Sequence, residues 1–289
     1  MGTSSSYGGP TGNNPLLPPW AQPDAGAGGG SATPTDEPVE QDNTDGPGDT
    51  DNASPAPPPS SVPTFTLVGA KSSMTRYVNG GGGGGGLRRV ARNYVGARGG
   101  ASGSGRAATS GRMASGRLGS FLAGVATRGV EAAARAIGLM SLAGRSAIDV
   151  FAELASRLAP SGATLEEAAG RRAISDALCA LYERYDLENA DLSRLDAMDA
   201  DAIRDALQVS VASYIYHRWL QELGDRIEEN AIDPDQAYRL EREVRDFVQL
   251  AVQLDLAAVD VMTMNWDGPE GRELMDRIYK EAYSLLENQ

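Results

Sequence analysis

The sequence predicts an all-α protein: a bundle of about six helices preceded by a long, largely disordered N-terminal arm rich in Gly, Pro and Ser. Three observations predict it. From about Leu118 onward apolar residues recur near a 3.6-residue period, with helix-start signals between the runs. No convincing strand pattern interrupts them. Residues 1–63 hold most of the 16 prolines among Asp, Ser, Thr and Gly, and such a segment buries too little apolar surface to offset about 1–2 kcal/mol per residue of backbone ordering.

The helical elements follow in order. "FLAGVATRGVEAAARAIGL" repeats apolar residues at Phe121, Leu122, Val125, Val130, Ala133, Ala134 and Ile137. Ser146 opens a second helix that Pro160 ends, and Thr164 opens a third, where Thr164 and Glu167 have capping-box spacing. After the polar "DLENADLSRLDAMD", a long helix is expected from about Ala200 to Glu229, with Ile203, Leu207, Val211, Ile215 and Leu220 inward. Asp233 and Pro234 suit the N-cap and first turn of the next, which presents Leu240, Val244, Phe247, Val248, Ala251 and Leu254 on one face. Asp267 and Pro269 start the last, with Leu274, Ile278, Ala282 and Leu285 inward. A chain of this size buries roughly 70% of its unfolded surface, enough for an independent core.

Upstream, Phe65 and Leu67 alternate briefly like a strand, which reads as an edge able to add to a partner. "GAKSS" lacks the earlier glycine of a phosphate loop and places Ala70 between Gly69 and Lys71, so nucleotide binding is rejected. Seven consecutive glycines, Gly80 to Gly86, read as a flexible hinge. The expected organisation is thus an N-terminal peptide over 1–20, an acidic Pro-rich tether over 21–63, a Gly/Arg-rich basic segment over 64–117 and an α-helical domain over 118–289.

Charge is segregated along these parts. Residues 1–63 carry 8 acidic and no basic side chains, residues 64–130 carry 10 basic and no acidic, and residues 131–289 carry 31 acidic and 16 basic. The net charge of −13 therefore conceals a basic belt between two acidic regions. Arg88, Arg89, Arg92, Arg98, Arg106, Arg112 and Arg117 make the belt, with Tyr94 its only aromatic. Three readings stay open for it: a linker folding back on the acidic body, contact with an acidic partner, or contact with nucleic-acid phosphates, the last giving a nucleic-acid-binding adaptor.

Several functions are disfavoured. The single cysteine, Cys179, permits no internal disulfide and reads as an inert core thiol in a reducing compartment. The single histidine, His217, lies in "SYIYHRWL" and reads as a packed or half-exposed structural residue. A nucleophile–base pair, a metal centre and a bound cofactor all lack ligands in the pattern, so the chain is expected to be non-catalytic, metal-free and cofactor-free. No apolar run of about 18 residues supports a membrane span, and the expected location is the cytoplasm. "MTMNW", Met262 to Trp266, reads as a plug at a helix end, or as an adaptable partner surface.

The first ten residues, "MGTSSSYGGP", carry no charge and no helix or strand pattern. Met-Gly-x-x-x-Ser fits N-myristoylation at Gly2, but that anchor needs a eukaryotic host and a second membrane signal. A further apolar island, "NPLLPPW", sets Leu16, Leu17 and Trp20 on an extended Pro-rich frame as a second docking point.

Taken in order, the "MGTSSSYGGP" start, the Pro-rich acidic tether, the Thr-Arg-Tyr and Gly-rich segment, the Arg/Gly/Ala belt, "GRLGSFLAGVATRGVEAAARAIGL" and the helical body resemble the QatB family of the bacterial Qat anti-phage defence system. The resemblance runs through nearly the whole chain and is most specific in the first ten residues and from Arg117 to Leu139. It implies a setting with an ATPase (QatA), a QueC-like enzyme (QatC) and a TatD-like nuclease (QatD). It also implies that QatC, whose QueC relatives activate 7-carboxy-7-deazaguanine with ATP and amidate it with ammonia, takes a protein amine instead. The acceptor would be Gly2 after Met1 is removed, leaving a deazaguanine amide. In that reading Thr3, Ser4, Ser5 and Ser6 enter the enzyme extended, Tyr7 stacks, and Gly8, Gly9 and Pro10 turn at the pocket mouth.

Overall fold

The computed structural model describes residues 65–80, 83–188 and 191–289, and all regular structure among them is helical. Residues 1–20 and the tether, with Gly2, Leu16, Leu17 and Trp20, lie outside the described residues.

Helix formation begins far upstream of Leu118. Helix α1 (Leu67–Asn79) starts at Thr66, whose hydroxyl accepts from the Gly69 amide at 3.1 Å. The expected edge strand is therefore a helix start. Ala70, Ser73, Met74, Tyr77 and Val78 are buried at i, i+3, i+4, i+7 and i+8, a periodicity that outweighs the alternation of Phe65 and Leu67. Helix α2 (Gly84–Ala97) absorbs the end of the glycine run, and Leu87, Val90, Ala91, Tyr94 and Val95 form its buried stripe. Its glycines permit close approach: a Cβ on Gly86 would stand 2.8 Å from the Tyr77 ring.

Two further helices run through the rest of the segment expected to be Gly/Arg-rich and basic. They are α3 (Gly100–Ala107) and α4 (Thr109–Arg128), followed by the short α5 (Val130–Ala136). Helix α3 packs on the C-terminal helix so closely that a Cβ on Gly105 would meet the Lys280 backbone at 3.1 Å.

The later elements follow the caps read from sequence. Ser146 caps α6 (Ala147–Leu158) by accepting from the Asp149 amide at 3.1 Å. Thr164 and Glu167 close a reciprocal capping box on α7 (Leu165–Arg184), with bonds of 3.2 and 2.9 Å. A 3-10 helix (Leu192–Ala197) leads to α8 (Ala200–Leu223), capped by Asp199. The expected run to Glu229 breaks at Gly224, where α9 (Asp225–Asn230) begins. Asp233 caps α10 (Pro234–Ala251), and Gly268, one residue after the expected Asp267, precedes α11 (Pro269–Glu287).

Helix α8 is the axis of the bundle, with α4, α7, α10 and α11 packed around it and Ile203, Leu207, Val211, Tyr214, Ile215, Trp219 and Leu223 buried. Burial of such side chains contributes about 1.5–3 kcal/mol each before entropy is counted. One polar seam crosses this core, where Ser115 Oγ lies 2.9 Å from Ser210 Oγ and 3.0 Å from Tyr279 Oη. The described residues form one compact unit, so α1–α3 belong to the same body as the helices beyond Leu118.

Candidate partner-binding surfaces

The bundle divides the arginine belt into internal ties and a free face. Arg98 ends α2 and donates from Nη1 to Oε1 of Glu222 on α8, an oxygen that also accepts from Arg218 Nη2 at 2.5 Å. Burial alone would lower the Arg98 pKa, but Tyr94, Tyr283 and Glu222 beside it raise it overall, so the guanidinium stays charged. Tyr283, fully buried there, is pushed up to about 12 by loss of water. Arg112 joins α4 to α11 through Asp276 at 2.6 Å, and Arg117 donates to the Ala159 carbonyl at 3.1 Å. These three arginines fasten the first helices to the rest.

Arg88, Arg89 and Arg92 behave differently. All three are exposed on α2 and none forms an ion pair or hydrogen bond with a described residue. Positions 88 and 92 are one turn apart and 89 is three residues from 92, so the side chains share one side of the helix. Arg106, on α3, is exposed and its guanidinium is likewise unpaired among the described residues. Tyr94 is fully buried against Trp219, with ring centroids 5.5 Å apart, so the belt's one aromatic is withdrawn from any stacking role.

An acidic concavity lies elsewhere, between α5, the turn before α6, the end of α7 and the 3-10 helix. It encloses about 860 Å³. Glu131, Glu188, Asp191 and Asp196 line it against a single cation, Arg145, which already pairs with Glu153 at 2.8 Å. Leu142, Tyr182, Leu187 and Leu192 line its apolar part, and the exposed Ile148 stands at its edge. Asp191 and Asp196 also have local duties. Asp191 accepts from the Ser193 hydroxyl and from the Ser193 amide, the latter at 2.8 Å, which together hold its carboxyl below the usual range, and Asp196 accepts from the Val130 amide at 2.7 Å. Sequence reading missed this cleft because Glu131 lies far in sequence from the stretch 188–196 that supplies the other three carboxylates.

His217 is buried on α8, as read from its apolar neighbours. Its Nε2 lies 3.0 Å from Asp176 Oδ2, the same oxygen to which Ser213 donates. Partial burial raises the Asp176 pKa, but the bonds from His217 and Ser213 outweigh it and the net direction is down. Both groups point at the carboxylate rather than at each other, so this cluster lacks the serine–imidazole contact of a hydrolytic relay.

Cys179 departs from the core position expected of it. It is exposed, and with Ile148, Phe151, Ala152, Leu178 and Tyr182 it lines an apolar groove of about 360 Å³ between α6 and α7. Partial burial, with Asp176 and Glu183 nearby, raises its thiol pKa and opposes reactivity. Trp266 takes the plug role: its ring packs on Gly119, its Nε1 donates to the Val261 carbonyl at 3.1 Å, and Met262 and Met264 are half-buried beside it.

Among the described residues no group of three or more His, Cys, Asp or Glu side chains is arranged to hold a metal ion, and no helix is long and apolar enough to cross a membrane. No curated protein and no solved structure matches the chain. A family model described as QatB, the Qat anti-phage system associated protein, matches residues 99–286, from the turn before α3 to the last turn of α11. That match spans well over half of the 289 residues; the chain belongs to the QatB family and has its role in Qat anti-phage defence.

Proposed function

We propose that the chain is the protein substrate and scaffold of the QueC-like enzyme QatC, which takes up the N-terminal peptide and acylates the Gly2 amine with a 7-deazaguanine carboxylate. The observation that carries this reading is the run Met1–Pro10, an uncharged peptide whose second residue is glycine, joined to the helical body by the acidic Pro-rich stretch 21–63. Membership of the QatB family supports the anti-phage setting in which such an enzyme acts.

The chemistry suits an α-amine. Removal of Met1 exposes Gly2, the least hindered acceptor available. An α-amino group with a pKa of about 7.7–8.0 is partly neutral at pH 7, whereas a lysine at about 10.4 is almost wholly protonated. ATP would adenylate the deazaguanine carboxylate with release of pyrophosphate; the Gly2 nitrogen attacks the acyl carbon, AMP leaves, and the nitrogen loses a proton to give the amide. No general base on this chain is required, because QatC supplies the pocket. The helical body would hold the remaining components, QatA and QatD, in reach of the modified end.

Retention on immobilised QatC tests the docking half of this reading. The full chain is expected to bind, and a chain lacking residues 1–20 is expected to lose most of the binding. Equal retention of the two would remove the N-terminal peptide as the point of entry.

A further inference from the structure

The free arginine face of α2 and the acidic cleft are complementary surfaces on one polypeptide, and they belong to different parts of the bundle. Helix α2 packs chiefly on α1, α3 and α11, whereas α5, α7 and the 3-10 helix border the cleft. Arg88, Arg89 and Arg92 project from a convex helix and lack ion-pair partners among the described residues. The cleft is concave, sets four carboxylates against one arginine that is already paired, and has an apolar lining against which arginine stems can lie. We propose that α2 of one copy docks into the acidic cleft of a second copy, so that the chain self-associates head to tail.

Shape and charge both favour this occupant. A cleft of about 860 Å³ has room for several arginine side chains, and guanidinium groups match carboxylates in planar, two-point hydrogen bonds. Nucleic acid is the weaker fit to α2, because the belt's only aromatic is buried and three phosphate contacts supply little affinity at physiological salt. The two surfaces differ, so the contact is heterologous and builds either a closed ring or an open chain of copies. The net charge of −13 repels copies generally, which makes association depend on this one pair of opposed patches. The inference concerns the helical body and stands apart from the Gly2 reading.

Charge exchange on the full-length protein tests it, read by sedimentation velocity over about 5–200 µM at low and physiological salt. One variant carries R88E, R89E and R92E; the other carries E131R and E188R, which spare the capping residues Asp191 and Asp196. Circular dichroism checks that both keep the helical content of the parent. The parent is expected to grow in mass with concentration, each variant alone to stay monomeric, and a mixture of the two to associate at least tenfold more tightly than either variant alone, because each then offers the other an opposite surface. A parent that stays monomeric throughout overturns the proposal, as does association that neither variant weakens. A monomeric parent that binds a duplex DNA probe through the same arginines also overturns it and assigns the face to nucleic acid.

Discussion

Arg98 at the end of α2 and Glu222 on α8 are bonded across 124 residues of sequence, and Arg218 shares the same Glu222 oxygen from one turn away. All three side chains are largely withdrawn from water, with 15%, 18% and 14% of their surface exposed. Glu222 is thus the single carboxylate holding two guanidinium groups at the junction of the early helices with the core.

Removing that carboxylate leaves both arginines uncompensated. Glu222→Ala is expected to cost about 3 kcal/mol, in the range for breaking a buried pair, and to lower Tm by roughly 6–12 °C for a body of this size. Arg98→Ala, which leaves Glu222 its bond to Arg218, is expected to cost less. Thermal unfolding of the two variants checks the order; an Arg98 variant as damaged as the Glu222 variant would contradict it.

The glycines of α4 separate packing from propensity. A Cβ on Gly119 would fall 2.5 Å from the Trp266 ring, while one on Gly116 meets Met275 at an ordinary 3.7 Å. Gly119→Ala is expected to destabilise by about 1–3 kcal/mol through overpacking. Gly116→Ala is expected to stabilise by about 0.5–1 kcal/mol, the helical preference of alanine. Denaturant midpoints for the pair read both signs.

Asp176 supplies a pH-dependent contribution. Its folded pKa lies below the usual carboxylate value, so its bonds to His217 and Ser213 stabilise the fold fully above about pH 4 and are lost as pH falls through the lower folded value. Asp176→Asn is expected to be less stable at pH 7 and to show a shallower loss of stability between pH 5 and 3. Unchanged steepness on that acid limb would count against the role given to this carboxylate.

Cys179 gives a direct probe of α7. Because the thiol is exposed but its pKa is raised, iodoacetamide is expected to label the native protein at one site, slowly at pH 7 and faster as pH rises. Labelling that required prior unfolding would return Cys179 to the core.

These residues also show which parts of the fold were legible. Thr164 with Glu167, Ser146 and Asp233 with Pro234 announced helix starts because a cap is local chemistry. Helix α1 reads as a strand because Phe65 and Leu67 alternate, and α2 and α3 read as a hinge and a loop-rich basic segment because their glycines resemble loop signals. Gly86, Gly96 and Gly105 instead sit where Tyr77, Phe65 and the Lys280 backbone approach too closely for a side chain. Only tertiary packing reveals that difference. Cys179 was misplaced for a simpler reason: the buried stripe of α7 runs through Ala173, Ile174, Ala177, Leu178 and Leu181, and position 179 lies a further 100° around the helix from Leu178. The acidic cleft was hidden because residues 131, 188, 191 and 196 meet only after the chain folds.

The central claim concerns one atom, the amino nitrogen of Gly2, and the mass of the N-terminal peptide tests it most directly. The chain is produced with active QatC and, separately, with QatC unable to bind ATP. The account predicts that with active QatC the peptide starts at Gly2 and gains one deazaguanine acyl group, and that with the inactive enzyme it does not. An unmodified Gly2 in the presence of QatC shown to be active, or the same added mass with the inactive enzyme, would contradict it.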